Sequence, residues 1–99
     1  MLHIVNKSPL ERSTLDSCLA AAQPGAVVLL IEDGVYAATR GNAAGAKLAA
    51  AMGNLEIYVL APDLEARGMG QALAEGIKRV DYAGFVGLVA QHKNCQSWL

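Results

Sequence analysis

Few side chains in this chain combine the type and setting that chemistry requires. Two are cysteines, Cys18 and Cys95. A thiol carries sulfur or attacks it only as the thiolate, so it must be accessible and its pKa lowered. Cys18 falls on the expected inner stripe of a helix, where a small apolar residue packs well. It also lies late in that helix, where the macrodipole disfavours a negative charge. On these features alone Cys18 reads as a packing residue. Cys95 sits in the tail Asn94-Cys95-Gln96-Ser97-Trp98-Leu99, where it reads as a variable tail residue whose thiol is oxidisable if the tail is exposed. The two cysteines are far apart and lack CxxC spacing, so they form neither a disulfide framework nor a zinc signature. His3 reads as a histidine packed among apolar neighbours in a first strand. His92 falls late on the last helix, where it complements the helix end. No further His, Cys or carboxylate stands at metal-ligand spacing around these residues.

The second cluster is Glu32-Asp33-Gly34. It ends the apolar run Ala26-Val27-Val28-Leu29-Leu30-Ile31. Such a run reads as a strand buried on both faces, which belongs to a parallel sheet covered by helices. In these sheets sites form outside the carboxyl ends of the strands. The carboxylates have two readings there. They cap the segment that starts at Val35, or they line a crevice or subunit contact with Tyr36 as an aromatic anchor. Gly34 suits a backbone turn closed to larger residues. A phosphate loop is excluded, because Gly41-Asn42-Ala43-Ala44-Gly45 and Gly68-Met69-Gly70 lack both the spacing and the lysine.

These residues need elements to position them, and the chain alternates strand and helix signals. Leu2-His3-Ile4-Val5 reads as a first strand. Ser8, Pro9 and Glu11 together make a helix start with a capping box. That helix runs to about Ala22, with Leu15, Cys18, Leu19 and Ala22 facing inward. Gln23-Pro24-Gly25 ends it. A helix interrupted near Gly41-Asn42 spans 35–38 and 43–52, and a third strand covers 55–60. Pro62 to Arg67 gives a helical turn closed by Gly68, followed by a loop through Met69 and Gly70. Ile77 to Val80 is a weak fourth strand. Asp81 caps a last helix with Phe85, Leu88, Val89 and His92 inside. The expected fold is a single-domain α/β three-layer sandwich, with a mainly parallel sheet of four to five strands.

Composition narrows the class. Ninety-nine residues make one domain, 1–99. The net charge of −1 and the lack of a basic run argue against a nucleic-acid-binding face. No apolar stretch reaches the ~20 residues needed to span a bilayer, and the first residues read as a strand, not a signal peptide. Reduced cysteines and a cytoplasmic location are expected. Over half the residues are apolar, more than a domain this small can bury, so an apolar interface is expected. The Ala-rich stretch 43–52 or the tail with Trp98 is the expected contributor.

Several blocks together resemble the DsrH/TusB family. They are Leu2-His3-Ile4-Val5-Asn6-Lys7-Ser8-Pro9, Leu30 through Ala38, Tyr58-Val59-Leu60 with Asp63-Leu64-Glu65-Ala66-Arg67-Gly68, Asp81-Tyr82-Ala83-Gly84-Phe85-Val86, and Gln96-Ser97-Trp98-Leu99. They span nearly the whole chain in order. The segment Ser17-Cys18-Leu19 is similar to the DsrH branch of sulfur-oxidising bacteria.

The resemblance implies a subunit of a hetero-oligomer that relays persulfide sulfur between carrier proteins. Its implied partners are DsrE/TusD-like and DsrF/TusC-like sister subunits and a DsrC/TusE-like acceptor. The sulfur would serve wobble-uridine 2-thiolation of tRNA or cytoplasmic sulfur oxidation. The family's main persulfide cysteine follows the third strand of a sister subunit, where this chain reads Ala61-Pro62-Asp63. The chain is therefore expected to be accessory and to use no cofactor beyond a cysteine persulfide. Cys18 is its candidate secondary sulfur site. Glu32, Asp33, Gly34, Tyr36 and Trp98 are candidates for an interface or crevice. The alternative is a stand-alone α/β module that binds a small molecule at the Asp33 edge.

Overall fold

The structure, a computed structural model, describes residues 1–9 and 13–98. Five parallel strands form one sheet in the order β4-β3-β2-β1-β5. They are β1 (Leu2–Val5), β2 (Val27–Leu30), β3 (Glu56–Leu60), β4 (Lys78–Val80) and β5 (Cys95–Trp98). The apolar run lies where its pattern requires: β2 is central and all its residues are buried.

The strand order determines the layers. From β1 to β4 the chain steps three times in one direction across the sheet. Right-handed crossovers then put every intervening helix on the same face. These are α1 (Thr14–Ala21), a 3-10 helix (Glu32–Ala38), α2 (Ala43–Ala51) and α3 (Ala61–Ala66). Together they bury Leu15, Cys18, Val35, Leu48 and Leu64 against Val5, Val28, Leu30, Ile57 and Val59. The step from β4 to β5 runs back across the sheet, so α4 (Tyr82–Gln91) crosses on the opposite face. There Leu88 and Phe85 pack on Leu2, Val27 and Leu29.

Local chemistry sets the helix starts. Asn42 caps α2 by accepting from the Gly45 N–H at 3.1 Å, and Asp81 caps α4 by accepting from the Gly84 N–H at 2.7 Å. Pro62 lies in the first turn of α3, where it costs no helical hydrogen bond.

Four expectations need correction. The first helix begins at Thr14, not at Pro9, and Ser13 precedes it without a side-chain cap bond. Glu11 of the expected capping box lies outside the described residues. Asp33 caps nothing, because the 3-10 helix starts at Glu32 and has no side-chain cap. The tail forms an edge strand, pairing Cys95 with Leu2 and Trp98 with Val5. Val89 points outward and is 40% exposed, whereas Leu88 is buried as expected.

Candidate functional site

The carboxyl ends of the strands bring together much of what the sequence singled out. The 3-10 helix leaves β2 and immediately crosses the end of β1. A Cβ on Gly34 would stand 2.3 Å from the Val5 carbonyl oxygen, so only glycine allows this crossing. Gly34 is thus required by close approach to β1 rather than by a left-handed turn. Glu32 adopts φ 49°, which disfavours an L-residue by roughly 1–2 kcal/mol. Its N–H donates to Asp63 Oδ2 at 2.7 Å, which ties this turn to α3. From α3, Arg67 Nε donates to Asp33 Oδ1 at 3.0 Å. The Asp33 edge is therefore a structural tie between the 3-10 helix and α3.

Tyr36 works through its backbone. Its carbonyl accepts from the Thr39 hydroxyl at 2.7 Å and from Asn42 Nδ2 at 2.9 Å. Its half-buried ring lines a cavity of about 160 Å³ with Leu15, Asp16 and Lys47. That volume is below the ~300 Å³ at which small-molecule pockets begin.

The strand order also places a switch point. The helices after neighbouring strands β3 and β4 go to opposite faces, and ligands favour such a switch point. Here it is flanked by Ala61, which opens α3, and by Asp81, whose carboxylate is taken up in capping. Neither residue offers a nucleophile.

The thiols are elsewhere. Cys18 is fully buried on α1 within the larger core, and burial pushes its thiol up to about 11. At pH 7 about one molecule in ten thousand would carry the thiolate. Cys95 is exposed on β5. Among the described residues, no group of three or more His, Cys, Asp or Glu could hold a metal ion.

Trp98 ends β5 opposite Val5. It is half-buried against the larger core, with Nε1 3.1 Å from His3 Nδ1. Among the described residues, the two most exposed large apolar side chains lie on α4, outside the sequence-based candidates. Tyr82 is 60% exposed and Val86 68%. The available signal was that Tyr82–Gln91 contains no charged residue. A helix apolar all round belongs in a buried setting.

An open parallel sheet with its intervening helices on both faces defines a small α/β domain. The ychN protein of E. coli has this fold, with a TM-score of 0.75, 16% identity and 97% of each chain covered. So does the MTH1491 protein of Methanobacterium thermoautotrophicum, with a TM-score of 0.72, 19% identity, and 97% of this chain and 95% of that one covered. The family model described as DsrH like protein matches residues 7–95. Protein TusB of Pectobacterium parmentieri is 36% identical over 98 residues, covering 99% of this chain and all of that one. Protein TusB of Salmonella enteritidis is 34% identical over 100 residues, with the same coverage. The chain belongs to the DsrH/TusB family. Among the described residues, no helix is long and apolar enough to cross a membrane.

Proposed function

We propose that this chain is an accessory subunit of a cytoplasmic sulfur-relay assembly. In it, DsrE/TusD-like and DsrF/TusC-like sister subunits carry the reactive thiol and a DsrC/TusE-like protein accepts the sulfur. The observation that carries this reading is α4, an uncharged helix with large apolar residues in solvent. Covering Tyr82, Val86 and Val89 with a partner would give the helix the buried setting its composition calls for. Family membership supports the kind of partner. The name TusB borne by its relatives favours the branch leading to wobble-uridine 2-thiolation of tRNA over sulfur oxidation.

The accessory role rests on two further features. Ala61-Pro62-Asp63 occupies the region where the resemblance places the working cysteine of a sister subunit, and none of the three can hold a persulfide. Cys18 is sealed in the core with its pKa raised, the reverse of what a sulfur carrier needs. The alternative of a small-molecule module at the Asp33 edge has less support, since Asp33 is paired with Arg67 and the cavity beside Tyr36 is small.

Native mass spectrometry of the chain, purified from its own cells at natural abundance, tests the reading. Two copies each of this chain and two sister subunits are expected, with no added sulfur on Cys18. Val86→Glu, at a solvent-facing position, is expected to release the sister subunits and leave the fold intact. A lone monomer would overturn the assembly, and a sulfur increment on Cys18 would overturn the accessory role.

A further inference from the structure

β5 is an edge strand with a single anchored side chain. It pairs with β1 alone, and Cys95, Gln96 and Ser97 are exposed. Among the described residues, Trp98 is its one side chain packed on the core. Trp98 Nε1 lies 3.1 Å from Nδ1 of His3, which is 3% exposed in β1. An indole N–H can only donate, so Nδ1 must accept. An imidazolium has no acceptor, so this anchor requires a neutral His3 ring.

The surroundings leave this ring as the group that changes charge near neutral pH. Burial, and after it the Met1 ammonium, hold His3 below its ordinary pKa of 6.5. The elements packed beside it bring Asp16 and Cys18 from α1 and Cys95 from β5, and β2 brings no titratable group. Asp16 is engaged by Lys47 at 2.7 Å, and the buried Cys18 thiol keeps its proton. Among the described residues, the ring has no ion-pair partner that would hold a second proton in place.

We propose that β5 is a strap released by acid: a second proton on the His3 ring sets an N–H against the Trp98 N–H, and β5 leaves β1. The proton comes from solvent and no covalent bond changes. The rest of the sheet stays closed, because β1 remains paired with β2 from Leu2 to Val5. Release uncovers the outer edge of β1, where the Leu2 N–H otherwise donates to the Asn94 carbonyl at 3.0 Å. A released ring takes up a proton more readily than a docked one. Release is therefore negligible above pH 6.5, grows as the pH falls, and levels off below the lowered pKa of the docked ring.

Hydrogen exchange of the full chain reads the strap, because the opening of one strand leaves its own pattern of lost protection. Protection of the Leu2 amide, corrected for the intrinsic rate at each pH, is expected to fall about fivefold between pH 7.5 and 5.0. The Glu56 amide, which donates to the Ala26 carbonyl at 3.2 Å, is expected to keep its protection. His3→Gln gives Trp98 a carbonyl that does not titrate, and should make Leu2 protection independent of pH. The nitrogen resonances of the His3 ring supply a second measure that needs no variant. The ring should titrate below 6.5, and Leu2 protection should level off where it does. The strap is overturned if Leu2 protection is the same at both pH values or if Glu56 loses protection in step with Leu2. It is equally overturned if a folded His3→Gln keeps the pH dependence, or if the ring titrates at its ordinary value.

Discussion

At the carboxyl edge Asp33 meets Arg67 and Asp63 meets the Glu32 N–H, so polar groups from two elements hold each other. Towards the amino edge the buried His3 ring accepts from the indole N–H of Trp98, which itself ends β5 opposite Val5. The first edge carries more charge, yet its groups are used in building the fold. The second pairs two rings, and burial together with the nearby amino-terminal charge holds His3 below its ordinary pKa. Abundance of ionisable groups is therefore a poor guide to a site, because groups that pair with one another are taken up in the fold.

The largest effect that separates the edges comes from their glycines. Gly34→Ala would drive a methyl into the Val5 carbonyl, and about 3 kcal/mol of stability should be lost in urea unfolding. At the amino edge Gly25 has φ +87° with open space around it, so Gly25→Ala should cost only about 1 kcal/mol. Equal losses would break the contrast in how tightly the two edges are built.

Alkaline pH tests the core between them. The Cys18 thiol is raised from 9.0 to about 11, so the folded chain keeps its proton where the unfolded chain loses it. That stabilisation is complete below pH 9 and is lost between pH 9 and 11, amounting to about 2–3 kcal/mol. Cys18→Ala should flatten this slope. In the native protein, alkylation should label Cys95 at once and Cys18 only on unfolding.

His3 acts at the other end of the scale. Its lowered pKa means that the unfolded chain takes up a proton first as pH falls below 6.5. Its contribution is therefore intact above pH 6.5 and is lost as the pH falls towards the lowered value. Removing the ring bond to Trp98 should cost about 1 kcal/mol at pH 7.5, and His3→Phe should abolish the acid slope below pH 6.5. The smallest effect is expected at the Arg67 ion pair, where the Asp33 side chain is 53% exposed. Arg67→Ala should cost under ~1 kcal/mol and less in high salt. A larger loss would mean that the Asp33 edge does more than join two elements.

The sequence was legible where one physical signal dominated. The apolar run of β2 and the Asp81 cap each speak through local chemistry. Elements set by distant contacts were not legible. β5 reads Cys-Gln-Ser-Trp, which has no strand-like apolar pattern, and it becomes a strand because β1 offers a free edge. Ser8 and Pro9 suggested a helix start, yet Ser8 is buried and α1 begins later. At the site, Glu32-Asp33-Gly34 was found, but not its Arg67 and Asp63 partners, which come from α3. His3 was legible as buried, while its bond to Trp98 was not, because nearly the whole chain lies between them.

The pairing of β5 with β1 has a consequence for biogenesis. Leu2 leaves the ribosome long before Cys95 and must wait for it before its outer edge is closed. At ~5–20 residues per second, synthesis of the intervening chain takes roughly 5–20 s. Throughout that time the nascent sheet has β1 as an unprotected margin, open to chaperones or to strands of other chains. The tail is thus a seal on co-translational folding, and shortening it should raise the yield of aggregated chains before any change in mature stability is measured.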